Sequence, residues 1–555
     1  VNDPRFGLLV AAALIALGVA LLARFRSSRT AVDFQLAGRQ MGVVTNACAI
    51  CGDYVSAASF LGVAAAVYAA GLDGAWFATG FAAGFVPVLL FVATPLRRFG
   101  DRSLPDFLAQ RFDSEPVRLV SVGMVQLIIL AYLVPQAVAG GLAWELFTDL
   151  SLPGLSPYTT GIVASTLLTS VLVIIGGMRG TTWNQAIQFV ALLGILIWLV
   201  IALYRSGFAY GAAVETANAQ PLVNVTDVDG QLETATMTNR ISGGEAHFAE
   251  PGARYDRLGQ FALLFTLVFG TAGLPHVMNR FFTSTTGKAA RMTTVWVIGL
   301  IGIFYALAVM AGTAARAILG AEASQHAWLA AMSVDGVLKT PEHALLALGR
   351  LFGGQLGLSA VTTGALLAIM STIGGLLLAA SASWGHDVYE RHINPDATRL
   401  QALRAGQVAV ATIAIAAAWI AVVVDPNEIS TSVPSVIASL VTAAFALAGC
   451  GLTPVIILSI WWKSTTAAGA LAGMAFGGIG SLISISIGLL DPSANSVLQT
   501  PTLVIAPLAA IVTVAVSQLT APVDDIDQLW VRMHGSARDR EAERLTKATI
   551  GVGLR

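Results

Sequence analysis

Residues 48–62 read CAICGDYVSAASFLG, and Asp53 is the only charged side chain between Met41 and Gly71, a run dominated by alanine, valine, glycine and leucine. A carboxylate at the middle of a bilayer costs about 2.5–3.5 kcal/mol on insertion scales, so it is kept there when it lines a pathway or a site. Three roles suit Asp53: ligand to a cation or proton, gate beside a substrate, or a carboxylate that accepts backbone N–H groups at a helix break. Tyr54, Ser56 and Ser59 follow on the same stretch and either reach that cavity or simply pack.

Hard oxygen donors recur far along the chain in ALLAIMSTIGGLLLAASA, where Ser371 and Thr372 are adjacent hydroxyls. Ala368 precedes Ser371 by three residues, on nearly the same helix face. A small alkali cation accepts hydroxyls and freed carbonyls as ligands without a carboxylate. The alternative is that both hydroxyls back-bond to the preceding turn or serve close packing. Gln136, in AYLVPQAVAGG, is an amide near mid-membrane that needs a partner, either a ligand or a neighbouring helix, and Pro135 before it is expected to kink the chain locally. His276 is the one histidine inside an expected span and either donates to a carboxylate or packs at a break. Cys48 and Cys51 have C-x-x-C spacing, but no His or Cys pair is near, so packing is expected rather than redox or metal chemistry.

The elements that position these groups follow from composition. The chain is 56% hydrophobic and 11% charged, where a soluble protein carries about a quarter charged residues, so an all-α polytopic membrane protein is expected. Net charge is near zero, which favours no nucleic-acid partner; the bilayer is the implied surroundings. Apolar segments long enough to cross the hydrocarbon core number about thirteen. The first is read as a stop-transfer span with its N-terminus outside, not as a removable signal peptide. Arg97, Arg98, Arg102, Arg111 and Arg118 share one connection, Arg280, Lys288 and Arg291 another, and Arg391, Arg399 and Arg404 a third. The positive-inside rule places all three in the cytoplasm together with the C-terminal tail, whereas the connections 148–157, 425–430 and 491–499 carry no Lys or Arg.

Two spans are interrupted. One breaks around Gly52 and Asp53; the other reads LLFTLVFGTAGLPHVMNRFF, with Gly270, Gly273, Pro275 and His276 close together. Exposed backbone at membrane depth is tolerated only where protein or a wet cavity satisfies it. Counted from the second span, these are the first and sixth of ten helices running from Met41 to Trp462. Five helices cannot repeat in the same orientation, so the halves are expected to be inverted copies with the site between their breaks. The expected plan is an extra N-terminal span within 1–30, a first repeat at 41–204, an extracytoplasmic loop at 205–257, a second repeat at 258–462, two accessory spans at 466–519 and a cytoplasmic tail at 520–555. The polar segments are expected to be loops without a folded core.

The blocks DFQLAGR from Asp33, CGDYVSAASFLG from Cys51, GTTWNQ from Gly180, GTAGLPHVMNRFFT from Gly270 and GHDVYE from Gly385 occur in an order that resembles the sodium/solute symporters, especially bacterial cation/acetate symporters and monocarboxylate transporters. The resemblance runs from Asp33 to about Lys463 and implies the leucine-transporter inverted-repeat fold in a bacterial plasma membrane. It further implies a Na+ site made by carbonyls of Gly52, Val55 and Ala368 with the hydroxyls of Ser371 and Thr372, and no cofactor beyond that coupling ion. Where some members carry a cation-linked aspartate, this chain has the neutral Gln185, which puts a second cation site in doubt.

The expected activity is sodium-coupled import of a short monocarboxylate such as acetate, propionate or pyruvate. Asp53, Tyr54, Ser56, Ser59, Gln136, Thr271, Gly273 and His276 are the candidate substrate residues. An ionised Asp53 repels a bound carboxylate, so it is expected to face the cation or cap the break. The same machine carrying another solute or coupled to protons is the near alternative. A membrane-embedded enzyme is disfavoured because no nucleophile motif and no metal-ligand histidine spacing occurs. A channel is separated from a symporter by uptake against a gradient.

Overall fold

The computed structural model describes residues 4–25, 31–99, 102–147, 150–228, 231–423, 436–490 and 496–535. Arg26, Arg29, the connection 425–430, parts of 148–157 and 491–499, and the tail beyond 535 lie outside the described residues.

Among the described residues ten helices are long and apolar enough to cross a membrane, or eleven when the bent pair Val43–Tyr54 and Ala58–Ala70 is taken as one span. The helix Pro157–Arg205 changes direction at Gly177, whose φ of 54° is left-handed, and the apolar helix Thr502–Gln518 is shorter than the rest. The helix Glu115–Phe147 runs through Pro135 without interruption. Many large side chains that face outward from the apolar helices are hydrophobic, among them Leu14, Leu167, Val190, Ile415 and Trp419. That distribution suits a hydrocarbon surround, since lipid tails are as apolar as these side chains.

The polar segment 205–257 departs from the loop expectation. It holds the helix Tyr210–Asn218 and the antiparallel strands Val223–Val228 and Gln231–Thr236. Ala217, Leu222, Ala246, Phe248 and Ala253 bury against Val67 and Ala70, giving the segment a small core of its own. Asp73 ties it down, its carboxylate accepting from the backbone N–H of Gly252, Arg254 and Tyr255 and from Gln260 Nε2. A buried carboxylate with several donors is fully solvated by protein, which accounts for an acid at the head of the apolar helix Leu72–Ala83.

Three of the arginines read as loop charges are structural. Arg111 is buried and donates to the carbonyls of Ser459 and Lys463. Arg118 Nη1 lies between Asp106 and Asp387, at 3.0 and 2.8 Å. Arg280 is buried in the span itself rather than in a connection.

Candidate functional site

The first break is visible in its hydrogen bonds. In a continuous helix the Asp53 carbonyl would accept from the N–H of Ala57, four residues on. Here Thr372 Oγ1 donates to the Asp53 carbonyl at 2.9 Å, and the Ala57 N–H reaches Gln136 Oε1 at 3.4 Å. Both freed backbone groups are thus satisfied by side chains from other helices, which is the condition for breaking a helix inside a membrane. The two halves of the span meet at 73°.

The second break lies between Gly273 and Pro275, where proline removes the N–H that the Thr271 carbonyl would otherwise accept. Thr453 Oγ1 satisfies the Phe269 carbonyl one turn earlier, at 2.6 Å. The breaks face each other: the Tyr54 hydroxyl is 2.8 Å from Thr271 Oγ1 and also donates to the Phe81 carbonyl at 3.0 Å. Gly273 does not present an open surface. A Cβ there would lie 2.4 Å from the Ala448 carbonyl oxygen and 2.6 Å from Thr453 Oγ1, so this glycine lets two helices touch.

Asp53 has a partner that the sequence reading passed over. Its Oδ2 accepts from Arg280 Nε at 3.2 Å, and both side chains are sealed from solvent. Arg280 extends further, Nη1 donating to Thr182 Oγ1 at 2.8 Å and Nη2 to Gln185 Oε1. Gln185 Nε2 in turn donates to the Ser371 carbonyl at 2.7 Å. The signal was present: Arg280 stands one turn after His276 in an interrupted span. Its position near the end of that span let it pass for a loop charge.

Of the expected cation ligands, Ser371 and Thr372 both face the first break. Thr372 holds the Asp53 carbonyl, and the Ser371 hydroxyl is buried without a hydrogen-bond partner among the described residues. It lies 3.2 Å from where a Cβ on Gly52 would be. Val55 ends the helix Val43–Tyr54, and Ala368 is buried one turn before Thr372 on its helix.

The expected substrate residues divide into two sets. Gln136 Nε2 and both ring nitrogens of His276 are buried polar atoms with no partner among the described residues, and Ser56 Oγ is buried facing the Tyr132 hydroxyl. Gln136 reaches the backbone next to Ser56, while His276 packs edge-on against Tyr132, one turn before Gln136, at 5.4 Å between ring centroids. Tyr54, Thr271 and Ser59 are already engaged, Ser59 with the Tyr305 hydroxyl at 2.8 Å. Around them stand aromatic rings the sequence reading did not single out: Phe445 contacts Tyr54, Phe81 and Tyr132, and Phe81 stacks on Tyr305. Only Tyr132 carried a hint, four residues before Gln136.

Asp106, His386 and Asp387 form a further carboxylate and imidazole group, away from the breaks. Arg118 Nη1 bonds both aspartates, and Arg102 Nη1 pairs with Glu390 at 2.7 Å, so cations of the chain itself already occupy these oxygens. The cluster ties the helices Leu104–Phe112 and Glu115–Phe147 to the π-helical segment Ser383–Ile393 that continues the helix Ala344–Ala382.

Residues 34–477 match the family described as the sodium:solute symporter family. The chain is 30% identical over 526 residues to the uncharacterized symporter YwcA of Bacillus subtilis, covering 92% of this chain and 94% of that protein. It is also 30% identical over 530 residues to a monocarboxylic acid transporter of Corynebacterium glutamicum, covering 92% of this chain and 90% of the other. Among solved structures, a Na+-coupled sialic acid symporter in a substrate-bound outward-open state shares the fold with a TM-score of 0.70 at 17% identity, over 93% of this chain and 98% of that one.

Proposed function

Because the chain belongs to the sodium:solute symporter family, and so is a multi-pass membrane transporter rather than an enzyme, we propose that it imports a short monocarboxylate anion of the size of acetate, propionate or pyruvate together with Na+ by alternating access. The observation that carries the substrate class is the set of donors left over around the breaks. Gln136 Nε2 and the His276 ring offer N–H groups in a sealed, aromatic-walled region with no protein partner among the described residues, and Ser56 Oγ, facing the Tyr132 hydroxyl, adds an O–H beside them. A buried donor without a partner loses about 1–3 kcal/mol, which a carboxylate accepting from several of them restores. The name of the monocarboxylic acid transporter relative points the same way.

Na+ is placed at the carbonyls of Gly52, Val55 and Ala368 with the hydroxyls of Ser371 and Thr372. Asp53, held by Arg280, lends its carbonyl and not its carboxylate to this arrangement. The reading includes two inverted five-helix repeats within Met41 to Trp462 and thirteen spans in a bacterial plasma membrane, with the N-terminus outside and the C-terminus inside. It is supported by the two broken spans at the heads of the two halves. The test is uptake of labelled acetate, propionate and pyruvate by the reconstituted protein. Saturable uptake driven by an inward sodium gradient is expected for at least one of them. Equal uptake driven by a proton gradient in sodium-free medium would overturn the coupling, and sodium-driven uptake of none would overturn the substrate class.

A further inference from the structure

Arg280 donates to four side chains on two other helices at once: Asp53 on the first broken span, and Met178, Thr182 and Gln185 on the helix Pro157–Arg205. Two of those partners continue to the hydroxyl pair. Gln185 holds the Ser371 carbonyl, and the Asp53 carbonyl is held by Thr372. A backbone tie reinforces the joint, Asn46 Nδ2 donating to the Arg280 carbonyl at 3.2 Å. The helix that carries Arg280, Pro275–Phe282, also carries His276 one turn away. One guanidinium therefore stands between the residues flanking the expected cation and the helix that bears the expected substrate donor.

A plain ion pair would need only a charge beside Asp53. The planar fork does more, because its fixed donor directions transmit the position of each partner to the others, which a lysine ammonium cannot do. We propose that Arg280 is a positioning residue that couples the two ligands: Na+ at Ser371 and Thr372 orders Gln185 and Asp53, these orient the Arg280 fork, and the helix Pro275–Phe282 then holds His276 toward the substrate carboxylate. The inference rests on the function proposed above. Linkage requires it to be reciprocal, so substrate must tighten sodium binding by the same factor that sodium tightens substrate binding.

The experiment is a sodium titration of the purified full-length protein by calorimetry, with and without saturating pyruvate and, in parallel, acetate and propionate. For the unaltered protein one of these acids is expected to tighten sodium binding about tenfold, within the usual range of coupling between sites. Arg280→Lys keeps a charge beside Asp53 but cannot span the partners; each ligand still binds alone, and the coupling factor falls to about one. Gln185→Met, which cuts the arm to Ser371 and leaves the ion pair in place, gives the same loss and serves if Arg280→Lys does not fold. A variant that melts earlier yet keeps the tenfold effect makes Arg280 a static staple and overturns the inference alone. An unaltered protein in which none of the three acids affects sodium binding overturns the proposed function, and the inference with it.

Discussion

Gly375→Ala is the sharpest probe of the buried pair. A Cβ on Gly375 would lie 1.8 Å from Asp53 Oδ1 and 2.4 Å from Oδ2, where ordinary contact begins near 3.4 Å. The carboxylate must therefore retreat by about 1.5 Å, which a hydrogen bond already at 3.2 Å to Arg280 Nε does not survive. Breaking one side of a buried ion pair leaves an uncompensated charge and costs about 3–5 kcal/mol. The neighbouring Gly374→Ala is the control, since the nearest atom there is Thr181 Cγ2 at 3.3 Å, on a side chain that needs to yield only slightly. Thermal unfolding in detergent and sodium-dependent uptake in proteoliposomes are measured for both. Gly375→Ala should melt well below the unaltered protein and lose sodium-driven uptake, while Gly374→Ala should stay close to it in both assays. A Gly375→Ala protein with unaltered melting and unaltered sodium dependence would refute the placement of the Asp53 carboxylate.

Ser371→Ala and Thr372→Ala should each raise the sodium concentration for half-maximal uptake by about five- to thirtyfold, the equivalent of 1–2 kcal/mol, with Thr372→Ala the larger because it also strands the Asp53 carbonyl; unchanged sodium dependence in both would exclude the assigned ligands. Gln136→Leu removes one carboxylate donor and the acceptor for the Ala57 N–H, so KM for the transported acid should rise about tenfold or more, and an unchanged KM in labelled uptake would place the substrate elsewhere. Burial pushes the Asp106 carboxyl up, but His386, Arg118 and Gln110 outweigh it and hold the group below the ordinary carboxylate range. Its contribution is therefore fully present above that range and fades only as pH falls through the depressed value. Asp106→Asn should lower the melting temperature at about pH 6, where the carboxylate is ionised and faces Arg118, Gln110 and His386 together, and an unchanged melting temperature there would contradict the assignment.

The breaks could be read from residue types, because glycine and proline interrupt helices and a lone acid in an apolar run needs a reason. The hydroxyl pair stood out for the same reason: Ser371 and Thr372 are side by side between Ile369 and Met370 on one side and Ile373 and Gly374 on the other. What could not be read was partnership across the fold. Asp53 and Arg280 are 227 positions apart, and charge counting assigned Arg280 to a loop. Gly375 looked like any small residue of a membrane helix, although its missing side chain is what admits the Asp53 carboxylate. Gly273 was expected among the substrate residues, whereas it admits the backbone of Ala448. The core of 205–257 escaped because its apolar residues are few and borrow their cover from Val67 and Ala70 on the adjoining span.

Accumulation at equilibrium tests the central claim most directly. A tenfold inward sodium gradient supplies about 1.4 kcal/mol, and one Na+ moving with one monocarboxylate anion carries no net charge. Proteoliposomes given that gradient at fixed pH, with the membrane potential clamped at zero or at about 100 mV negative inside, should accumulate the acid to about tenfold in both conditions. A second cation would add about 2.3 kcal/mol at the negative potential and drive the plateau far higher there. A steep rise with potential would contradict the single cation site, and a plateau no higher inside than outside would contradict sodium-driven import itself.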